Sequence, residues 1–390
     1  MTAATAPARD QSATEIRDRI RAAAAGRRTL RIIGGGSWLD ANRPVHADDS
    51  LDLSAYSGIV EYEPGDLTLT ARAGTTLDEI SRATAANGQW FPLDPYGDPA
   101  RATLGATIAT ASYGPLAHHF GAPRDLTLGV EFVTGGGDIV RGGGRVVKNV
   151  AGFDLTRLVA GSWGTIGVLT EATVRLRARP ALQATLAIAI GASDAEVQRM
   201  RAALRALPFV PLAAQLLDSS SARALALEQR PSLLVMLGGN EEGLHAQREQ
   251  MRTVGPDQEL EQEIWLRLRS LEPARAAVVR LSRLPSEFTV TWRDGLRIAE
   301  RWMGGYCHGD PGRGVVRVVL PFPVGEDANE ASLRAVLDAP FEGTRIYERL
   351  PPALWPVLAP PPLRRQIDRR IKSTFDPGSL LNPGIFGELQ

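Results

Sequence analysis

Cysteine is almost missing from this chain: Cys307 is the only one in 390 residues. That excludes an internal disulfide and any multi-cysteine zinc or iron–sulfur site built from this chain alone, and a reducing cytoplasm fits best. Net charge is missing too, with 44 Lys and Arg against 44 Asp and Glu. No general field therefore draws the chain to nucleic acid or to an anionic membrane. No apolar run approaches the roughly 20 residues of a membrane span, and the opening MTAATAPARDQSATEI lacks the apolar centre of a signal peptide. The expectation is a soluble, cytoplasmic protein, at most peripheral to a membrane. A repeat of fixed period is absent, as is G-x-G-x-x-G in its strand-to-helix setting, which disfavours a Rossmann NAD domain. At roughly 150 residues per domain, the length suggests two or three units.

Glycine, by contrast, is plentiful at 39 residues and gathers in short stretches. GGRVVKNVAGFDLTRLVAGSWGTIGVLTEATVRL, from Gly143 to Leu176, joins glycines and one lysine to an alternating apolar tail. Bare backbone is needed where a chain turns sharply or approaches a ligand, so this stretch predicts either tight turns or a cofactor cradle. GGGS, Gly34 to Ser37, follows the strand-like TLRII and could offer successive N–H groups to a phosphate; an ordinary turn is the alternative. The small residues of ATLGATIATASYG, Ala102 to Gly114, would let a backbone lie flat on a planar ligand, or let a helix pack closely on a sheet.

The first 180 residues read as strands with short helices. TEIRDRIRAAAAG is a helix with Ile16 and Ile20 at helical spacing and Gly26 as its stop. TTLDEISRATAANG is a helix with Thr76 and Glu79 at capping-box spacing. DLTLGVEFVTGGGDIVRGGG is a hairpin turning near Gly135 to Asp138. From Ala181 strands alternate with longer helices, as in TLAIAI, SDAEVQRMRAALRAL, LAAQLLD and SLLVMLGG, a pattern of helices covering a sheet. PPALWPVLAPPP reads as an extended connector, LRRQIDRRIKSTF as a helix and DPGSLLNPGIFGELQ as an ordered tail. The expected division is 1–27, an N-terminal segment and helix; 28–180, a first domain; 181–350, a smaller cap domain; and 351–390, connector, helix and tail.

Taken in order, RIIGGGSWLD, LTLTARAGTTLDEI, PLDPYGDPARATLGATIATASYG, FGAPRDLTLGVEFVTGGGDIVRGGG, VVKNVAGFDLTRLVAGSWGTIGVLTEATVRL and FDPGSLLNPG resemble the FAD-binding fold of the vanillyl-alcohol-oxidase, or PCMH, type. Arg145 to Leu176 and the reduced C-terminal half are most similar to the GlcE-type FAD-binding subunits of bacterial glycolate oxidase. The resemblance implies an α+β chain: a two-subdomain FAD-binding domain, then a cap with an antiparallel sheet and covering helices. It also implies oxidation of glycolate or D-lactate to the 2-oxo acid, with electrons passing through flavin. The implied partners are a larger FAD-containing subunit and an iron–sulfur subunit, and through them peripheral attachment to the inner face of the membrane. An FAD-dependent oxidase acting alone on a small alcohol or 2-hydroxy acid is the alternative. A reductase of cell-wall UDP-sugars shares GGGS but not KNVAGFD or NPG.

The same resemblance assigns roles. Gly34, Gly35, Gly36 and Ser37 correspond to the pyrophosphate loop. Pro92, Asp94, Thr103, Leu104, Gly105, Ala106 and Ala109 fall on a second lining segment, and Gly121 and Asp125 on a "YG…RD" element written here with Phe120. Gly161, Ser162, Gly164, Gly167 and Val168 match a loop that meets the cofactor through backbone, and Asn382 matches a tail residue brought back toward the flavin. Ser37 and Trp38 stand where covalent flavoproteins carry histidine, so the FAD is expected to be non-covalent. Trp163 replaces the Glu of a "GSEG" loop. With only His245 and His308 in the C-terminal half, the metal site of D-2-hydroxyacid dehydrogenases is incomplete and no metal is expected.

Catalytic candidates are few. His308 in YCHGDPGRG could act on substrate, or be a hydrogen-bonded residue at a strand end. His118 and His119 precede Gly121 and are expected near the flavin, where they could steer a proton or a partner. Lys148 could bind an acid or favour reduced anionic flavin, or be a solvated strand-end lysine. Arg364, Arg365, Arg369 and Arg370 share one helix, as a solvated face or a partner surface.

Overall fold

The computed structural model describes residues 7–38, 40–144, 154–322, 330–359 and 366–387. Its first helix, α1 (Pro7–Ala25), buries Ile16 and Ile20 completely, as their four-residue spacing requires. They pack on Leu30, Leu51, Val133 and Val168. β1 (Leu30–Ile33) and β2 (Asp49–Asp52) form a parallel pair. β3 (Ile59–Glu63) and β4 (Thr68–Arg72) follow, then α2 (Leu77–Ala85), which opens on the expected Thr76–Glu79 capping box. β5 (Gln89–Trp90) leads to α3 (Leu104–Thr110), α4 (Ala117–Phe120) and α5 (Pro123–Leu126).

β6 (Thr127–Val133) and β7 (Ile139–Gly143) make the predicted hairpin. After α6 (Leu155–Val159), β8 (Val168–Arg175) inserts between β4 and β6, giving a five-stranded antiparallel sheet ordered β3-β4-β8-β6-β7. The alternating side chains of VLTEATVR suit a strand with neighbours on both sides. α3 packs on this sheet, and β9 (Arg177–Ala178) pairs with β5.

The remaining strands build one eight-stranded antiparallel sheet, ordered β13-β10-β12-β11-β15-β16-β14-β17. In chain order its elements are β10 (Leu182–Ala189), α7 (Asp194–Ala206), β11 (Ala213–Leu217), α8 (Ser219–Ala224), β12 (Ser232–Gly239), α9 (Glu241–Met251) and β13 (Asp257–Leu260). α10 (Glu263–Arg269), β14 (Ala276–Ser282), α11 (Phe288–Glu300), β15 (Tyr306–Asp310), β16 (Val315–Pro321), α12 (Glu330–Leu337) and β17 (Thr344–Arg349) complete it. The core between this sheet and helices α7, α9, α11 and α12 includes Phe288, Trp292, Val197 and Leu333.

Over its described residues, 351–359, the proline-rich segment is not an extended connector. Pro352–Leu354 forms a 3-10 turn and α13 (Trp355–Leu358) a helical one, and Leu354, Trp355 and Leu358 are buried in the cap core. Proline is tolerated in a first helical turn, so the apolar residues between the prolines decide the conformation. α14 (Gln366–Phe375) carries Arg369 and Arg370 on its exposed face, while Arg364 and Arg365 lie outside the described residues.

The tail then returns to the first domain. Leu30 N–H donates to Leu380 O and Asn382 N–H to Leu30 O, extending the β1–β2 pair by a bridge between Leu30 and Leu381. A buried ion pair pins it: Lys372 Nζ donates to Asp376 Oδ2 (2.7 Å), Thr165 O (2.8 Å) and Leu381 O (3.2 Å). Asp376 in turn accepts from the Leu380 and Leu381 N–H groups.

Candidate functional site

Three segments distant in sequence enclose a cleft with about 840 Å³ of empty space, partly open to solvent. The first is the loop leaving β1. None of the N–H groups of Gly34, Gly35, Gly36 and Ser37 donates to a described protein acceptor, and Gly34, Gly36 and Ser37 line the cleft. Successive free N–H groups at a strand end form an anion nest. Gly35 turns the other way and packs on Arg101: a Cβ there would stand 1.9 Å from Arg101 O, and Arg101 Nε donates to Gly35 O at 2.9 Å. Arg31 and Arg43 bring positive charge to the same wall. Arg43 is held from the cap side, stacked 5.4 Å over Trp355 and donating to the carbonyls of Trp355 and Ala359.

The second segment is α3. Thr103 caps it by accepting from Ala106 N–H, and Thr103, Gly105, Ala106, Ala109 and Thr110 face the cleft. Leu104 points instead into the sheet core. Small side chains let the helix approach: a Cβ on Gly105 would fall 2.6 Å from the Ala73 Cβ. The third segment is the turn before β8, contributing Trp163, Gly164 and Gly167. Asn382 joins it to β1, with Oδ1 accepting from Ile32 N–H (2.8 Å) and Nδ2 donating to Trp163 O (2.6 Å). Both polar ends of that amide are therefore engaged within the protein.

Other residues singled out from the sequence do not line the cleft. Pro92 and Asp94 are buried; Asp94 accepts from Leu116 N–H, and burial raises its pKa to about 7, with Arg269 opposing. Asp125 accepts from Ala122 N–H beside Gly121, which makes the RD element a helix start. Gly161 turns the chain after α6, Val168 enters the core, and Ser162 Oγ is buried without a partner. Lys148 lies outside the described residues. Sequence reasoning passed over Trp38 as a lining residue; its ring meets Trp163 edge-on at 6.4 Å.

A second, smaller pocket, about 360 Å³, opens where the segment leaving α3 meets the cap sheet. Tyr113 and Gly114 come from that segment, and His308, Arg280, Arg313 and Arg317 from strands β14 to β16 and their turns. His308 is not a surface residue at a strand end: it lies mid-strand, 1% exposed, with Nδ1 3.1 Å from Gln215 Oε1 and its ring 5.3 Å from that of Tyr96. Because Gln215 Oε1 can only accept, Nδ1 carries the proton and Nε2 keeps its lone pair. Burial, with Arg317 adding to it, pushes the pKa of His308 down to about 3, so the ring is neutral.

Arg317 is buried between Glu272 and Glu348, and Glu348 also meets Arg280 at 3.5 Å. Two guanidiniums stack on the Tyr113 ring, Arg313 at 4.7 Å and Arg280 at 5.2 Å from its centre. Arg313 has no carboxylate within ion-pair distance among the described residues, and its Nε is buried without a partner. The cap thus offers more cations for an acid than its histidine count suggests. The signal was in the strands: AAVVRLS and VVRVVLP each place one arginine in an otherwise apolar run, and the two face each other in register.

His118 and His119 are not on the cleft wall. His118 Nδ1 meets Asp310 Oδ1 at 2.7 Å, and His119 Nδ1 meets Val210 O at 3.1 Å. Among the described residues no group of His, Cys, Asp and Glu is arranged to hold a metal, and no helix is long and apolar enough to cross a membrane.

Residues 6–143 match the model of the FAD binding domain family. The glycolate oxidase subunit GlcE of Escherichia coli (strain K12) is 40% identical over 182 residues, 46% of this chain and 51% of that protein. The glycolate oxidase subunit GlcD of Bacillus subtilis (strain 168) is 36% identical over 41% of this chain and 34% of that protein. The matches thus span about half and about a third of the length of these relatives. Among solved structures, p-cresol methylhydroxylase with substrate bound superposes with a TM-score of 0.73 over 99% of this chain and 88% of that one, at 15% identity. An alkyldihydroxyacetonephosphate synthase superposes with a TM-score of 0.68 over 95% and 74%, at 16% identity.

Proposed function

We propose that this chain, an oxidoreductase with a FAD-binding domain and the fold of p-cresol methylhydroxylase, takes part in oxidising a small 2-hydroxy acid to the 2-oxo acid. It would do so as the FAD-binding subunit of a glycolate oxidase assembly. The observation that carries this reading is the anion nest of Gly34 to Ser37, opening on a cleft walled mainly by backbone and small side chains. A pyrophosphate fits the free N–H groups of Gly34, Gly36 and Ser37, backed by Arg31 and Arg43. The flat face of α3, with Gly105, Ala106 and Ala109, suits the planar ring. No histidine stands in the nest, so the cofactor is held without a covalent bond. When bound, FAD supplies an acceptor for the hydride of the substrate carbon.

The residues of the second pocket would handle the acid. Arg313 and Arg280 bind its carboxylate and Tyr113 fixes the guanidinium planes, a charge-assisted arrangement. His308 Nε2 accepts the hydroxyl proton; the carboxylate's negative charge raises the basicity of the ring in the complex. Electrons then leave toward a partner. With one cysteine, buried at that, this chain does not by itself ligate an iron–sulfur cluster; the iron–sulfur subunit and the larger FAD-containing subunit of the assembly rest on the likeness to glycolate oxidase subunits.

The second pocket also favours another reading, in which this chain oxidises the acid by itself. Anaerobic titration with glycolate and D-lactate separates the two. The first expects flavin bleaching in the co-expressed assembly and very slow bleaching of the isolated FAD-loaded chain; rapid bleaching of the isolated chain selects the second. In either, Arg313→Met should raise the acid concentration for half-bleaching at least tenfold. Absence of bleaching in both preparations would overturn the assignment of a hydroxy acid.

A further inference from the structure

A third pocket, about 860 Å³ including its open mouth, lies against the C-terminal half of α7, away from the flavin cleft. We propose that it binds a monocarboxylate with an apolar body, as a site separate from the one that would oxidise hydroxy acids. Leu204, Leu207, Phe209 and Pro211 supply an apolar lining, and Val210 at the rim is 57% exposed. Into this lining come two guanidiniums four residues apart, Arg201 and Arg205, on one face of the helix.

Arg201 carries the argument. It is 9% exposed, yet no carboxylate lies within ion-pair distance of it among the described residues. Among the described residues its only hydrogen bond is from Nε to Gln198 Oε1 at 3.3 Å, and Nη1 is buried without a partner. A buried guanidinium without a counter-charge is costly, and natural proteins rarely leave one so. Arg205, exposed at the rim, also has no ion-pair partner among the described residues. A carboxylate at Arg201, with its apolar body along Leu204, Leu207 and Phe209, would supply the missing counter-charge and cover the exposed apolar surface. A fully polar anion would leave that surface bare, and a neutral apolar molecule would leave the guanidinium without a counter-charge.

The pocket also abuts the second one. His118 lines it and bonds to Asp310 Oδ1, which lines the second pocket and accepts the N–H groups of Gly312 and Arg313. A carboxylate beside His118 would press on its 2.7 Å contact with Asp310, and Asp310 holds the turn carrying Arg313. Occupancy should therefore be sensed at the acid site, reciprocally.

Calorimetric titration of the FAD-loaded chain with octanoate and with phenylacetate tests this without reference to turnover. Saturable binding of at least one acid is expected, weakened tenfold or more in Arg201→Met and unchanged in Arg280→Met. Val210→Glu, an exposed substitution that sets a tethered carboxylate at the mouth, should weaken binding without altering the melting temperature, which covers the case in which Arg201→Met does not fold. Failure of both acids to bind, equal binding of 1-octanol, or full affinity in Val210→Glu would each overturn the proposal. Loss of binding in Arg280→Met would also overturn it, by placing the acid in the second pocket.

Discussion

Replacing Asn382 by alanine tests how the cleft is held together. Asn382 is 5% exposed, sits at φ +44°, and joins β1 to the Trp163 turn through bonds of 2.8 and 2.6 Å. Two hydrogen bonds at about 0.5 to 1.5 kcal/mol each give about 1 to 3 kcal/mol. Alanine at positive φ adds about 1 kcal/mol, because its Cβ crowds the neighbouring carbonyl where asparagine is better tolerated. The expected loss is about 2 to 4 kcal/mol for Asn382→Ala. Asn382→Gly, which escapes the backbone penalty, should lose about 1 kcal/mol less. Asn382→Asp keeps the acceptor for Ile32 N–H but turns an oxygen toward Trp163 O, so it should fare no better than alanine. Since the two bonded groups belong to two walls of the cleft, FAD affinity should fall together with stability, about tenfold for each 1.4 kcal/mol that passes into the site. Urea unfolding of the apo chain and fluorescence titration with FAD measure the two quantities. An Asn382→Ala chain with wild-type stability and FAD affinity would refute the reasoning, as would glycine proving worse than alanine.

Gly35→Ala should abolish FAD binding or folding, because the added Cβ meets the backbone carbonyl of Arg101 at 1.9 Å and backbone cannot yield as a side chain can; a soluble variant with normal flavin content would contradict this. Lys372→Met leaves the Asp376 carboxylate buried without its cation and should cost about 3 to 5 kcal/mol in unfolding experiments, with the tail becoming susceptible to protease. Two buried groups should oppose each other as pH changes. Burial holds the His308 pKa at about 3 against 6.5 in the unfolded chain, so its contribution is complete above pH 6.5 and is lost as pH falls toward 3, by about 1.4 kcal/mol per unit. Burial raises Asp94 to about 7 from 3.8, so the folded chain keeps a proton that the unfolded one releases, and stability falls as pH rises from 3.8 to 7. His308→Gln should therefore expose the Asp94 trend and Asp94→Asn the His308 trend. Stability curves between pH 4 and 6.5 that run parallel to wild type in both variants would refute the two assignments.

What the sequence determined by itself is local. The GGGS nest, the Thr76–Glu79 box, the hairpin around Gly135 to Asp138 and the small-residue helix at Ala102 to Gly114 rest on residues close in the chain, whose backbone preferences act before any tertiary contact forms. What the tertiary structure decided is which of these residues share a surface. Leu104 and Gly105 are neighbours in sequence, yet one enters the sheet core and the other faces the cleft, because successive helical residues point about 100° apart. PPALWPVLAPPP read as extended by its prolines, but Trp355 and Leu358 found a core to enter, and their burial outweighs the local preference. His308 read as a residue at a strand end, but a neighbouring strand pairs on each of its sides. Arg280 and Arg317 became a pair through strand register, and which elements pack beside Arg201 and Arg313 leaves them without counter-ions among the described residues. Charge pairing depends on distance in space, which chain order does not specify, so the glycine loop was legible in the sequence while the arginine-lined pockets emerged only from the fold.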